Sequence, residues 1–463
     1  MKGYKRYISK ENEFGIKPKK LFEVNRLMKL INLHTNIILI TVLVAQMACK
    51  PELGIEDMPV QMNSKPNVIL IIADDLGLDA TPNYAIGTLK PNMPNLTGLL
   101  NTGLKFTNFS TNPLCSPTRA SIISGKYGYK TGVLTVDDIL SNSEITLQKF
   151  INQNTQNAYA TAVIGKWHLA GTSTTFNPES FGIDYYAGIL SGGLPSYTNW
   201  TLREDGNSTL QTTYATEKLT DLAKTWVSQQ TKPFFLWLAY NAPHAPFHVP
   251  PANMHNQGKL SANAADINAN PLPYYLASIE AIDYQIGQLL TSLTAEQKAN
   301  TIIIFIGDNG TPNQVAQTYS RNKVKNTLYQ GGINTALVVS GKGIERTGTD
   351  NSLLNATDLF STIASICGVA IETYQDSKNF SALFKTSQII REYAYAEVKD
   401  NTLNEYTIRN LKNKLIVKTD GSHEFFDLET DPLETKNLNN QLSTTEKNTK
   451  ERFIDELKKI RSK

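Results

Sequence analysis

Unbroken apolar runs alternate along this chain with stretches whose apolar residues recur every three or four positions. PNVILIIADDLG at 66–77 is β-branched and of strand length, and it stops at two aspartates and a glycine. NTIIIFIGDNG at 300–310 repeats the design and ends in Asp308 and Asn309. YATAVIG (159–165), PFFLWLAY (233–240) and TALVVSG (335–341) are further strand candidates. Continuous apolar runs of this kind belong to strands buried on both faces. In YYLASIEAIDYQIGQLLTSL (274–293), Tyr275, Ile279, Ile282, Ile286, Leu289 and Leu293 step by three and four, one face of a helix. Strand alternating with helix predicts an α/β fold, a mostly parallel sheet covered by helices on both faces, with ligands bound beyond the carboxyl ends of the strands.

Toward the end the pattern changes. REYAYAEV (391–398), YTIRNLKNKLIVKT (406–419) and HEFFDL (423–428) are short, partly alternating strand candidates. A helix follows with Phe453, Leu457 and Ile460 on one side and its charges on the solvated face. These features predict a catalytic domain over 66–370 and a smaller antiparallel-sheet-plus-helix subdomain over 371–463. The length of 463 residues exceeds the roughly 250–300 at which a single core stops growing, which agrees with that division.

At the other end, NIILITVLVAQMAC (36–49) is an apolar run that follows Lys20, Arg26 and Lys29 and closes on small residues before Cys49. It is short for a membrane span, which needs about 20 apolar residues. The pattern resembles a bacterial lipoprotein signal, with Cys49 lipidated, although QMAC lacks the aliphatic residue usual three positions before the cysteine. A cleaved secretion signal and an uncleaved anchor are the alternatives, and the start could be Met1 or Met28. Residues 1–49 thus read as an extension and signal, and 50–65 as a tether to an exported domain held at a membrane surface.

Net charge is +3 with both signs interspersed, which gives no electrostatic footprint for nucleic acid. The 3 cysteines, at 49, 115 and 367, make neither a disulfide framework nor a zinc pattern. Cys367, in STIASICGVA, reads as a small buried core residue. Cys115 does not. It stands between a loop, STNPL, and a helical run, TRASIISG, so its thiol lies near a helix N-terminus, where unpaired N–H groups favour an anion. Arg119 is one helical turn further on. Asp74, Asp75, Asp308 and Asn309 offer oxygen ligands of the kind a hard cation such as Ca2+ takes. Either pair alone would read as a cap or turn; two pairs at two strand ends point to metal.

These residues resemble the type I sulfatases, whose signature Cys-x-Pro-x-Arg matches CSPTRASIISG at 115–125. ADDLG, GKWHLAG (165–171), APHAPFHVP (242–250), GDNG, KNTLYQGG (325–332) and FFDLETDPLETKNL (425–438) follow the family's other segments in order. The resemblance implies an alkaline-phosphatase-like fold, a divalent cation, and formylglycine made from Cys115 by a maturation enzyme. It implies sulfate-ester hydrolysis in which one hydroxyl of the hydrated aldehyde attacks sulfur and the other allows sulfate to be expelled. It places Arg119, Lys166 and Lys325 on the sulfate charge, and His244 and His168 on the leaving alcohol and the diol proton, with those two tasks exchangeable. Cys115 counts with the aspartates among the metal-facing residues. Thr118, Gln330, Asn334 and Ala336 depart from the commoner family residues. A sulfated polysaccharide or its oligosaccharides is the expected substrate class. Loops 171–215 and 241–273 are expected to wall the pocket, with Tyr185, Tyr186, Tyr197, Trp200 and Tyr274 suggesting a sugar. His248 and His255 read as packed or surface residues, with substrate contact as the alternative. Two rival functions are a phosphate-ester hydrolase of the same superfamily and a catalytically silent, lipid-anchored glycan-binding protein.

Overall fold

A computed structural model describes residues 65–173 and 175–462. The signal run, Met28, Cys49 and the tether up to residue 64 lie outside the described residues. Ten strands form the main sheet: β1 (Asn67–Ala73), β2 (Leu104–Ser110), β3 (Ala160–Lys166), β4 (Tyr185–Ile189), β5 (Trp200–Glu204), β6 (Asn207–Gln211), β7 (Phe234–Tyr240), β8 (Thr301–Gly307), β9 (Asn334–Gly341) and β10 (Gly348–Asn355). Their order is β10-β2-β9-β8-β1-β7-β3-β4-β5-β6. The central strands β8, β1, β7, β3 and β4 run parallel, as does β10 with β2. β9 is antiparallel to both its neighbours.

Side chains alternate across a strand, so one apolar run supplies two cores. Ile69, Ile71 and Ala73 of β1 enter one cluster with the helix Leu272–Ser292, while Val68, Leu70 and Ile72 enter the other with the helix Cys115–Ser124. That is the predicted α/β arrangement with helices on both faces. The helix Leu272–Ser292 buries Tyr275, Ile279, Ile282, Ile286 and Leu289 as its spacing requires.

After a two-stranded ribbon, β11 (Thr373–Tyr374) and β12 (Ser377–Lys378), come four strands: β13 (Ala394–Lys399), β14 (Asn404–Arg409), β15 (Asn413–Val417) and β16 (His423–Asp427). They form an antiparallel sheet in sequence order. One face packs on the terminal helix Thr444–Arg461 through Phe453 and Leu457. The other packs Ala396, Val398, Ile416 and Phe426 against Leu114, Leu328 and Ile333, which flank the Cys115 and Lys325 segments.

One expectation needs correction. The 171–215 stretch is not only loop: it holds β4, β5 and β6, and Asp205 and Gly206, at φ +44° and +83°, make the tight turn between the last two. Tyr186, Tyr197, Trp200 and Tyr274 are buried, so they support the pocket from within the core and present no platform to a sugar.

Candidate active site

Register builds the centre of the site. Ala73 of β1 pairs with Gly307 of β8, so the aspartates that follow each strand come side by side at the carboxyl edge. The Asp75 N–H donates to Asp308 Oδ1 at 3.0 Å, and Asn309 Nδ2 donates to Asp75 Oδ1 at 2.8 Å. Asp75 sits at φ +68°, a left-handed turn that aspartate tolerates. β3 delivers Lys166 as its last residue. The preceding Gly165 is at φ +110°, and a Cβ there would meet the Ala239 carbonyl oxygen at 1.9 Å, so only glycine lets β3 pass β7 at this point.

Cys115 is the first residue of its helix, and all ten residues of that helix are buried. Thr118, where the family more often has serine, fastens the approach: its hydroxyl accepts from the Asn112 N–H at 3.0 Å and donates to the Asn112 carbonyl at 3.2 Å. Cys115 Sγ lies 3.8 Å from Asp75 Oδ1. Burial, and then the Asp74 charge, push the thiol well up, so an unmodified Cys115 is no thiolate nucleophile here.

Three cations surround the carboxylates. Lys166 Nζ is 2.6 Å from Asp74 Oδ2, with both side chains fully buried. Arg119 places Nε and Nη2 on Asp308 Oδ2 at 3.1 and 2.8 Å, and Nη1 on the Lys166 carbonyl at 2.8 Å. Lys325 Nζ is 2.6 Å from the Asp75 carboxylate. Burial raises the Asp74 carboxyl, but the charges of Lys166, His244 and Arg119 outweigh it and hold the group well below its ordinary range. Asp308 goes the other way, raised by burial and then by the Asp74 charge.

Asp74, Asp75, Cys115 and Asp308 bring ligand atoms within 4.8 Å of one another. Asp74 Oδ1 and Asn309 Oδ1 are buried and have no hydrogen-bond partner. A buried oxygen without a donor is costly, and a hard cation would satisfy both at once. The residues therefore fit a divalent metal.

The two histidines occupy different depths. His168, at φ +56°, is 4% exposed, with Nε2 3.5 Å from Asp137 Oδ1. Burial, then Lys166 and Arg119, pull it down to about 2, so it is neutral. His244 is 25% exposed, its Nε2 3.7 Å from Asp75 Oδ2. Its Nδ1 is 2.6 Å from the Ala245 carbonyl, which can only accept, so Nδ1 carries the proton and Nε2 is turned toward the site. His248 stacks on Tyr197 at 3.9 Å and meets the Tyr214 hydroxyl at 3.0 Å, a packed role. Cys367 is a buried core residue, as expected.

Several contributors escape the sequence reading. Tyr275 donates its hydroxyl to the Asp75 carbonyl at 2.8 Å. Glu434 binds the segment that carries Lys325 at both ends: its carboxylate accepts the Gln330 N–H at 2.5 Å, and its carbonyl accepts from Lys323 Nζ. Lys414 neutralises that carboxylate at 2.8 Å, with both side chains buried. Only the segment FFDLETDPLETKNL, within which Glu434 falls, hinted at this.

A family model for the sulfatases matches residues 66–369. The chain is 28% identical over 362 residues to the uncharacterized sulfatase YdeN of Escherichia coli (strain K12), covering 66% of this chain and 63% of that protein. It thus spans less than two thirds of that relative's length. It is 25% identical over 410 residues to the ulvan-active sulfatase of Formosa agariphila, covering 81% of this chain and 77% of the relative. A solved structure of Ps i-CgsB, in complex with k-i-k-neocarrahexaose, superposes with a TM-score of 0.74 at 24% identity, covering 86% of this chain and 92% of that one; it supports the fold.

Proposed function

The chain belongs to the sulfatase family, and from that membership we propose that it hydrolyses sulfate esters on sulfated polysaccharides or their oligosaccharides. In this reading Cys115 is converted to formylglycine by a maturation enzyme, and one Ca2+ is held by Asp74, Asp75, Asp308 and Asn309, facing residue 115. The observation that carries it is the single buried cluster in which Cys115, three cations and the oxygen ligands meet. The bound metal supplies Lewis-acid charge and the formylglycine a hydrated-aldehyde nucleophile.

The chain's own residues do the rest. Arg119, Lys166 and Lys325 supply positive charge for the sulfate oxygens, in a site where burial strengthens it. His244, partly exposed with Nε2 toward the site, is assigned to the leaving alcohol, and the deeper His168 to the proton on the nucleophile's side. The relative named as ulvan-active supports a polysaccharide substrate. Export and lipidation at Cys49 rest on the pattern at 36–49. Against a two-metal phosphatase, the described residues hold one group of three or more candidate ligands. Against a silent glycan binder, the nucleophile position and the ligands are all present.

The test is a panel of defined sulfated glycans, offered to protein whose formylglycine content is measured by mass spectrometry. Inorganic sulfate should be released from at least one of them. Phosphate release from phosphate esters, with no sulfate release from any glycan, would overturn the reading.

A further inference from the structure

A cavity of about 510 Å3 opens beside the site, lined by Ala245, Phe247, Ile267, Pro271, Gln314 and Arg321 among others. Its volume is in the range of small-molecule sites, roughly 300–1,000 Å3, and would hold a sugar unit. It shares two walls with the reaction centre. Ala245 follows His244 and its carbonyl fixes the His244 ring. Phe247 meets Tyr275 edge to face at 6.1 Å, and Tyr275 holds the Asp75 backbone. The other side is the 314–321 stretch, which leads into the segment bearing Lys325.

The lining is apolar apart from Asn268, Gln314 and Arg321. Arg321 is the one charged residue on it. The three catalytic cations are each paired with a carboxylate, whereas Arg321 is exposed and makes no hydrogen bond or ion pair among the described residues. An unpaired guanidinium beside an apolar floor suits a ligand with a C–H face and an anionic group, since the planar fork binds such groups through two donors.

We propose that this cavity is a second glycan subsite, which takes the sugar unit adjoining the one that loses its sulfate and pairs that neighbour's anionic group, sulfate or carboxylate, with Arg321. The proposal rests on the sulfatase reading and adds to it that the enzyme selects for charge on the neighbouring unit.

Three disaccharides test it, alike in the sulfate ester to be cleaved, with the adjoining unit bearing a sulfate, a carboxylate or no anion. Arg321→Gln should raise KM about fivefold on one or both charged probes, as expected for a partly exposed ion pair, while kcat and the constants for the neutral probe stay put. Which charged probe responds distinguishes sulfate from carboxylate. Ile267→Trp, which fills the cavity, should raise KM on all three. If Arg321→Gln changes no constant, or weakens charged and neutral probes equally, the subsite is refuted. If wild type cleaves none of them, titration calorimetry with the same disaccharides decides: loss of affinity for a charged probe in Arg321→Gln keeps the subsite, equal affinities discard it, and the sulfatase reading is judged separately by the glycan panel.

Discussion

Each nitrogen of the Arg119 guanidinium makes one hydrogen bond, two of them to Asp308 and one to the Lys166 carbonyl. Lysine has one compact ammonium and cannot reproduce that fork. Arg119→Lys should therefore lower kcat/KM on the order of a hundredfold while the chain still folds, as steady-state kinetics and circular dichroism would show. Asp308→Ala should do more, because it takes from buried Arg119 its hydrogen-bonded carboxylate, leaving only Asp74 at 3.8 Å, and removes a proposed metal ligand. We expect loss of bound Ca2+ by elemental analysis, loss of activity, and about 3–5 kcal/mol of destabilisation by denaturant titration. Exhaustive chelation of wild type should likewise abolish turnover. His168 carries a pH signature. Its folded pKa lies at about 2, below the ordinary histidine value, so between those values the unfolded chain binds the extra proton. Stability should fall as pH drops below about 6.5, by up to about 1.4 kcal/mol per unit from this group, and His168→Gln should flatten that slope in thermal melts at pH 4–7. At this scale Asp74, Asp75, Asp308, Asn309, Cys115 and Arg119 were legible because strand ends and a helix start leave marks in local pattern, whereas Lys166, His168, His244 and Lys325 were named only through the resemblance to the sulfatases. Tyr275 and Asp137 were not, because each acts across a fold contact that no local spacing records.

Elements place what residues perform. The in-register pairing of β1 with β8 joins the two acidic pairs; the like endings of the two apolar runs were readable, whereas the pairing itself joins segments over 200 residues apart and left no local mark. The hairpin of β5 and β6 was missed because its strands are short and β6 is largely exposed, leaving Asp205-Gly206 as the one clear signal. The hold of the small sheet on the Lys325 segment was marked only by the segment in which Glu434 falls, since Glu434 itself looks like any acidic residue in a turn. Glu434→Ala should leave Lys414 buried without a partner and the Gln330 N–H unpaired. We expect kcat to drop about tenfold with a smaller change in KM, together with a lower melting temperature. Glu434→Gln, which keeps an acceptor, should recover part of the kcat. An unchanged kcat in Glu434→Ala would show that Lys325 is positioned without the small sheet.

For the whole molecule, fold class was legible from alternating strand and helix patterns, and the substrate was not, because Tyr186, Tyr197, Trp200 and Tyr274, expected to face it, are buried in the core. If the chain is exported as proposed, Cys49→Ser should release it from membranes in host fractionation, and protein beginning at Lys65 should keep the wild-type kcat. Wild-type protein found mainly in the cytosol with residues 28–48 still attached would refute export. The burial of the Cys115 helix on every side also sets a timetable. Cys115 is 1% exposed in the finished protein, so an enzyme that must grip several residues around the thiol has no way in. If Cys115 is oxidised to formylglycine as proposed, that oxidation then has to come before folding closes the sheet over that helix. A chain that folds first is locked as a thiol: offered to the maturation enzyme afterwards it should stay unmodified, while a free peptide spanning 112–124 should be converted. Each molecule's activity would thus be decided once, during its synthesis, by a race between modification and collapse.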